Sequence, residues 1–452
     1  MYPWHERLNA WANGTGIHID ALGLVTLLGA EDMDRIVGRL IPSPYLDYLP
    51  LLGAFTVSAS HFTRKQSGFI LYSISDGMMT TELAGWFSRW LQTQEFDRVR
   101  SIVTWQAGRQ PPQLQRFFLG FLLIALPIHG MLIALTVLAA DWWGLANVVS
   151  MIASVVVRCV LVSEIQAGID RSIRKSEEAA QKYNYPLKRA KYDEAKTKLE
   201  NIRQMGQPTE GMKEPIAPKD QYEIVKIIVV TDESKAVTIQ APRYLTKSVF
   251  AVSPEAPNPN TYRVFQAIGW VAFAVHVISI GMAQLYTQIA SVVLILGATI
   301  LTAYKIGCED SRPWQFIRRA IHEEDQGYSC RLTSNLKATV STYPADYCEW
   351  QETAEACDSF TAQEMDKNNA GLSRDSKRVT VNDVEKSQSP TRPTTPGRQD
   401  LYAWLDLTEA EDKCLNIWGL IPHDPEWVDR YLEKKMFHRR RMERKNILET
   451  ES

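Results

Sequence analysis

Residues 117–139 read FFLGFLLIALPIHGMLIALTVLA, and residues 142–163 read WWGLANVVSMIASVVVRCVLVS. Each stretch is apolar and about 22 residues long, which is the length that a helix needs to cross a hydrocarbon core of about 30 Å. Residues 264–283 and 286–304 form a second pair of apolar stretches without Asp, Glu, Lys or Arg. Because backbone groups must be hydrogen-bonded internally in lipid, all four are predicted to be helices. The sequence therefore predicts a mainly α protein, a four-helix transmembrane bundle of two hairpins over 117–163 and 263–304.

The basic residues that flank the four spans predict the orientation of the bundle. The two hairpin tips, near Asp141 and near Gln284, contain no Lys or Arg. The opposite ends of the spans are flanked by Arg98, Arg100, Arg109, Arg116, Arg171, Arg174, Lys175, Lys182, Lys247, Arg263, Lys305, Arg312, Arg318 and Arg319. Because Lys and Arg are enriched in cytoplasmic loops, both termini and the central loop are predicted to be cytoplasmic. The six cysteines fall on that side or near the inner ends of spans, where reduced thiols are expected.

The cytoplasmic segments before the third span are predicted to carry helices and one small β-hairpin. In the N-terminal segment, 1–116, residues 68–91 are amphipathic and either pack in a core or lie on the membrane surface. The loop 164–262 begins with a charged stretch that predicts a solvated helix. Its β-branched residues over 222–240 then predict the hairpin. Since an isolated hairpin is marginal in water, we expect the N-terminal segment or the tail to cover it.

The tail is predicted to contain a juxtamembrane segment (305–365), a disordered linker (366–399) and a helical segment (400–452). Thr408 and Glu411 have the spacing of a capping box, and Asp424 with Pro425 suits the start of another helix. Two basic groups are candidates for contact with anionic lipid, although an ordinary solvated helix end explains the second equally well. These groups are Arg318 with Arg319, and Arg439 with Arg440 and Arg441.

Two stretches resemble multi-pass integral membrane proteins of filamentous fungi for which no activity is established. They are VFQAIGWVAFAVHVISIGMAQLYTQ, residues 264–288, and DLYAWLDLTEAEDKCLNIWGLIPHDPEWVDRYL, residues 400–432. The resemblance implies the same multi-pass topology. It implies no activity, cofactor or site residue.

The motif content argues against the commonest enzyme classes. The chain lacks a GxxxxGK[ST] phosphate loop, a GxGxxG fingerprint, a GxSxG elbow, an HExxH pair and a CxxC pair. No cofactor or metal is therefore expected, and an enzyme is the least favoured class. The formal net charge of −2 gives no reason to expect nucleic acid as a partner.

Three ionisable residues within the spans form a candidate polar site: His129, Arg158 and His276. The two histidines lie at similar depth and either form a proton relay or metal site or are neutral and hydrogen-bonded. Arg158 follows small residues at intervals of four, which places it on a packed helix face. It either reaches the inner head groups or lines a conduction path. The small residues on this face are Ala146, Ser150 and Ser154.

The linker contains two candidate phosphorylation sites. Ser389 and Thr395 are each followed by Pro and, three residues on, by Arg. This spacing resembles the sites of proline-directed cyclin-dependent kinases.

Three function classes remain open. The first is a cytoplasm-facing scaffold or regulatory membrane protein with protein partners, because the outer loops are only a few residues long. The second is a small oligomeric channel or transporter, which four spans form only by assembling as a homo-oligomer. The third is a membrane-shaping protein with reticulon-like topology.

Overall fold

The computed structural model describes residues 30–342 and 397–451, together with residues 7 and 10. Gaps within the first range fall at 44, 52–56, 58, 98, 110–113, 205–216, 307, 309 and 312–326. The chain divides into two compact units. The first comprises Met1–Phe96 and Ile102–Ser341, and the second comprises Asp97–Ser101 and Thr342–Ser452.

The first unit is mainly helical and contains one sheet. Its helices are α1 (Ala30–Gly38), α2 (Gly85–Thr93), α3 (114–138), α4 (Trp142–Lys182), α5 (Tyr185–Gln204), α6 (Pro259–Met282) and α7 (Leu285–Ala303). Its strands are β1 (Ile70–Ser73), β2 (Met78–Thr80), β3 (Ser101–Ala107), β4 (Ile224–Val230), β5 (Ala236–Pro242), β6 (Tyr328–Arg331) and β7 (Leu336–Thr342). Short helical turns occupy His61–Thr63, Arg243–Leu245 and Thr246–Ala251.

Among the described residues, four helices are long and apolar enough to cross a membrane: α3, α4, α6 and α7. They coincide with the four predicted spans. Within α3, a π-helical turn over Phe121–Ala125 ends two residues before Pro127. Proline cannot donate the backbone hydrogen bond that would continue the regular helix, which explains a distortion at this position.

Helices α4 and α6 run antiparallel, and hydrogen bonds join them at both ends of the stretch from Asp141 to Glu164. At one end the Asp141 carboxylate accepts from the Gln284 N–H at 3.0 Å. At the other, the Glu164 carboxylate accepts from the Asn258 N–H at 3.4 Å. Between Asp141 and Glu164 the helix rises about 35 Å at 1.5 Å per residue, enough to cross a hydrocarbon core.

Asp141 also organises the end of the bundle farthest from the sheet. Its other carboxylate oxygen accepts from the Gly144 N–H at 2.9 Å and so caps α4, and the side chain is almost fully buried. One turn deeper, the Asn147 amide donates to the Ser291 hydroxyl at 2.9 Å, which joins α4 to α7. One carboxylate and one amide thus tie α4 to the turn after α6 and to α7.

The sheet has seven strands in the order β2-β1-β4-β5-β3-β7-β6. β4 and β5 pair antiparallel at the predicted position, but the expectation of one small β-hairpin is too limited. β1 pairs antiparallel with β4, and β3 pairs parallel with β5, so both edges of the hairpin are covered. The amphipathic residues 68–91 form β1, β2 and α2, and their apolar side chains, including Phe69, Trp86 and Trp90, pack in the core.

The second half of α4 passes into the core beneath the sheet. Ile165, Ile169 and Ile173 recur at four-residue intervals and are buried among the sheet residues. The same core holds the aromatic cluster Trp86, Phe87, Trp90, Trp105 and Phe250, with ring centroids 4.7–6.4 Å apart. The prediction of a helix after the second span is confirmed. The prediction that this helix is solvated is wrong for the face that carries the three isoleucines. The three isoleucines make the helix amphipathic, which the alternating charges around them obscure.

The described part of the second unit contains three helices: α8 (Arg398–Trp404), α9 (Glu409–Ile417) and α10 (Pro425–Glu451). The capping box is confirmed, because Thr408 and Glu411 each bond the other's backbone N–H. Helix α10 begins at Pro425, as predicted. Lys435 pairs with Asp412 at 2.6 Å and joins α10 to α9.

We expect Ile169→Ala to destabilise the sheet domain. Ile169 is 1% exposed, and truncating such a side chain costs about 2–5 kcal/mol of unfolding free energy. Thermal unfolding in detergent, followed by fluorescence of the buried tryptophans, measures the change. Arg171→Ala, on the exposed side of the same helix, is the matched control and should change stability by less than about 0.5 kcal/mol. Equal effects of the two changes would contradict the burial of this face.

Candidate functional site

Arg158 lies where α4 leaves the bundle and enters the sheet domain. A short turn over residues 43–49 packs against it, held by backbone bonds such as Asp47 N–H to Ser43 C=O at 3.0 Å. Nη2 of Arg158 donates to the carbonyl oxygens of Leu46 (3.4 Å), Asp47 and Leu49 (3.0 Å). Only 8% of the residue is exposed. A guanidinium suits the carbonyl end of a helical turn because these oxygens carry partial negative charge.

The other two members of the predicted polar site have separate surroundings. Nδ1 of His129 bonds the carbonyl oxygen of Ala125, one turn earlier in its own helix, at 2.8 Å. Nδ1 of His276 is buried without a hydrogen-bond partner among the described residues. No hydrogen bond within the described ranges joins either histidine to Arg158. The shared polar interior therefore stays a prediction, and no cluster of three metal-ligating residues occurs in the described part of the chain.

A buried ion pair lies near Arg158, where the bundle meets the sheet domain. Nη1 of Arg39, directly after α1, donates to Oδ2 of Asp310, beyond α7, at 2.6 Å. Both residues are 2% exposed. Gln94 also donates to Asp310, at 3.1 Å, and Lys305 lies 3.5 Å from the same oxygen. This network ties the N-terminal segment to the chain that follows the fourth candidate span.

The charges in this network set the protonation of its members. Burial alone would raise the pKa of Asp310, but Arg39 and Lys305 hold it below its usual value. Burial lowers the pKa of Lys305. Nη2 of Arg39 also contacts the Cys308 sulfur at 3.0 Å. Asp310 is therefore a carboxylate at neutral pH, and its negative charge is matched by Arg39.

A cavity of about 290 Å³ lies between the Arg158 and Arg39 groups. Its polar lining includes Arg158, Asp47, Arg39, Ser163 and Gln166. The apolar part of the wall is formed by Ile36, Val37, Leu40, Ile41, Leu46, Leu51, Phe117 and Val162. We call this space the junction cavity. It combines a few charged groups with an apolar wall, which is the composition of a small-molecule site.

Asp47 is the unusual ionisable group of the junction cavity. Burial raises its pKa to about 6, although Arg158 and the Ser43 N–H both favour the charged form. Its Oδ2 accepts from the Ser43 N–H at 2.9 Å. A carboxyl group whose pKa is strongly shifted by burial and by a nearby charge is typical of functional sites.

Sequence reasoning identified Arg158 but missed its surroundings. None of Asp47, Arg39 and Asp310 was singled out as a candidate site residue. The available signal was the position of these charges immediately beside apolar stretches. Cys159, whose sulfur lies 3.5 Å from the Asp47 carbonyl oxygen, also lines the cavity.

The remaining candidate residues lie elsewhere. Ser389, Thr395, Arg318 and Arg319 fall outside the described residues. In the second unit, Arg439 pairs with Asp406 at 2.9 Å, while Arg440 and Arg441 are exposed on α10. Contact of these arginines with anionic lipid stays a prediction.

The Arg39–Asp310 pair should behave as a coupled unit. Removing Asp310 leaves the buried Arg39 charge uncompensated, which costs about 3–5 kcal/mol of unfolding free energy, whereas removing Arg39 leaves Asp310 with Lys305 as its cationic partner and should cost less. We expect Arg39→Met combined with Asp310→Leu to cost less than the sum of the single changes. Thermal unfolding of the four proteins measures the coupling. Strict additivity would show that the pair does not interact.

Stability should depend on pH in opposite senses at Asp310 and Asp47. The folded-state pKa of Asp310 is lowered, so its contribution is present at neutral pH and is lost on acidification. The folded-state pKa of Asp47 is raised from 3.8 to about 6, so its destabilising effect grows as the pH rises between these two values and is complete above about 6.

We therefore expect Asp47→Asn to raise the melting temperature at neutral pH. The gain should fade as the pH drops below about 6, where Asp47 is already protonated. Asn retains an oxygen for the Ser43 N–H, and Asp193→Asn on the exposed helix α5 is the matched control. Melting curves recorded in detergent across this pH range decide the point. A gain that does not depend on pH would contradict the raised pKa of Asp47.

Comparison with known proteins adds no template for the junction cavity. No protein-family model, curated protein or solved structure matches the chain. The resemblance of residues 264–288 and 400–432 to fungal multi-pass proteins stays a prediction. Function is therefore inferred from the geometry of the chain itself.

Proposed function

We propose that this chain is a multi-pass integral membrane protein whose sheet domain faces the cytoplasm and serves as a scaffold or regulatory module. The observation that carries the proposal is the origin of the strands. β1 to β3 precede the first candidate span, β4 and β5 lie between the second and third, and β6 and β7 follow the fourth. Strands of one sheet must lie on one side of a membrane. Two crossings between successive groups satisfy that requirement, so strand pairing supports two transmembrane hairpins.

The charge distribution supports a cytoplasmic position for the sheet. The tips at Asp141 and Gln284 lack Lys and Arg, whereas the ends near the sheet are rich in both. The tips are also short, since only three residues separate α3 from α4 and two separate α6 from α7. Almost all described surface of the first unit outside the bundle therefore belongs to the sheet side, where we expect a cytoplasmic protein partner to bind.

A small oligomeric channel or transporter is the second candidate. Buried polar residues between the spans favour it, notably Asn147, Thr287 and Ser291. The Asn147–Ser291 hydrogen bond equally serves to pack helices, however, and the spans contain no paired carboxylates for ion coupling. A reticulon-like membrane-shaping role stays a further alternative.

Topology is directly testable. Epitope tags at both termini and near Gly211 should be accessible only from the cytoplasmic side. The sequon Asn13-Gly14-Thr15 should carry no glycan, because it lies in the N-terminal segment predicted to be cytoplasmic. Protease protection of sealed membranes, with and without detergent, measures tag accessibility. A glycan at Asn13 or a protected terminus would contradict the even number of crossings.

Proximity labelling from a tag at the C-terminus separates the function classes. A scaffold should label a reproducible set of cytoplasmic proteins, and Ile169→Ala, which disrupts the sheet core, should reduce that labelling more than Arg171→Ala. Reconstituted vesicles test the two alternative functions, the channel and the membrane-shaping protein. Solute or ion flux that requires this protein would favour the channel, and tubulation would favour membrane shaping. Either result without specific labelling would overturn the scaffold proposal.

A further inference from the structure

The junction cavity presents one cation, Arg158, and one anion, Asp47, beside an apolar wall, and neither forms an ion pair among the described residues. We propose that it binds the headgroup of a zwitterionic aminophospholipid, with the lipid phosphate on Arg158 and the lipid ammonium on Asp47. The chemical class is that of phosphatidylethanolamine. The site rests on the proposed function in one respect, because only that topology assigns it to the inner leaflet.

Arg158 supplies the phosphate contact. Its Nη2 is fixed by three backbone carbonyls, whereas Nε and Nη1 have no hydrogen-bond partner among the described residues. The side chain lines the cavity although more than nine-tenths of the residue is buried. A guanidinium edge with two adjacent donors matches two oxygens of a phosphate. The carbonyls hold that edge in place before any ligand arrives.

Asp47 supplies the ammonium contact. Its Oδ2 accepts from the Ser43 N–H, and its Oδ1 has no hydrogen-bond partner among the described residues. Arg158 and Asp47 attract each other electrostatically, yet no ion pair within 4.0 Å joins them in the described part of the chain. A zwitterion that bridges the two would satisfy both groups. Binding an ammonium also stabilises the ionised form of Asp47, which burial otherwise disfavours.

The other charges on the wall explain the preference for a zwitterion over an anion. Arg39 also lines the cavity, but its charge is matched by Asp310 at 2.6 Å. Arg158 and Asp47 then leave the cavity with no net charge. A second negative charge, as on phosphatidic acid, would lie near the Asp47 carboxylate and be repelled.

The position and size of the cavity suit a headgroup whose chains stay in the bilayer. Its lining includes Phe117 from the start of one candidate span, Ser163 from α4 and Thr302 from the end of α7. At about 290 Å³ it is at the lower limit for a ligand site and too small for a whole lipid. The adjacent lipid-facing helix surface, including Phe118 and Leu122, is exposed and apolar. Acyl chains can therefore lie along α3 while the headgroup enters the cavity.

Alkylation of Cys159 reports occupancy, because this partly exposed cysteine lines the cavity. The full chain in detergent micelles is treated with N-ethylmaleimide, and peptide mass spectrometry follows Cys159, with Cys414 of the second unit as internal reference. Dihexanoyl phosphatidylethanolamine at ten times its Kd should slow alkylation of Cys159 about tenfold by mass action. Cys414 should react at an unchanged rate.

Four further ligands test the chemistry. Dihexanoyl phosphatidylcholine, whose quaternary ammonium cannot donate a hydrogen bond, and dihexanoyl phosphatidic acid should protect Cys159 much less. Free phosphoethanolamine and inorganic phosphate, which lack chains, should not protect it at the same concentration. Equal protection by phosphatidylcholine, or stronger protection by phosphatidic acid, would overturn the assignment, as would protection by inorganic phosphate alone.

Variants of Arg158 and Asp47 test the phosphate contact and the ammonium contact separately. Arg158→Gln should abolish protection by every lipid, whereas Asp47→Asn should remove only the advantage of phosphatidylethanolamine over phosphatidylcholine. Arg174→Gln, an exposed arginine on the same helix, is the matched control and should leave protection unchanged. Equal loss in Arg158→Gln and Arg174→Gln would indicate binding to a basic surface and overturn the site.

Two features keep the test decisive. If Arg158→Gln does not fold, Asp47→Asn still tests the site, because Asn retains an acceptor for the Ser43 N–H. Alkylation in micelles does not depend on which side of a membrane the sheet occupies. A wrong topology would therefore appear in the protease experiment and leave lipid protection intact, whereas a wrong site would abolish protection with the topology unchanged.

Discussion

Helix α4 is the constraint on which the first unit depends, because it runs unbroken for 41 residues from Trp142 to Lys182. At 1.5 Å per residue it is about 60 Å long, roughly twice a hydrocarbon core. Its first half packs against α6 within the bundle, and its second half is buried beneath the sheet. A helix without a break cannot bend freely at the boundary, so the sheet is fixed to the spans. The junction cavity forms where the turn over residues 43–49 packs against this helix.

The spans were predictable because their signal is local. Length and hydropathy suffice to identify a segment that lipid forces into a helix, and all four candidate helices fall where the sequence places them. The sheet could not be predicted from the sequence, because its pairings are non-local. Leu71 pairs with Val229, and β3 pairs in parallel with β5. β1 and β2 are only four and three residues long. Strands this short carry too little alternation of apolar and polar residues to be identified from the sequence.

Only part of the candidate site could be predicted, because some of its residues are conspicuous locally and others become adjacent only in the folded chain. A lone arginine within an apolar stretch is conspicuous, so Arg158 stood out. Its partners are carbonyl oxygens more than 100 residues away, which no side-chain pattern encodes. Arg39 and Asp310 are separated by 271 residues, and nothing in either neighbourhood indicates that they meet. Asp47 becomes informative only when the fold places its carboxylate beside Arg158.

Amide hydrogen exchange along α4 tests the continuity of this helix most directly. The full chain in nanodiscs is exchanged into deuterium, and protection is read for residues 157–176, which cross from the bundle into the sheet domain. A continuous helix predicts slow exchange through Ser163, Glu164 and Ile165, comparable to the protection on either side. Fast exchange confined to these residues would show a hinge at the membrane boundary. Such a hinge would contradict the rigid connection between the spans and the sheet.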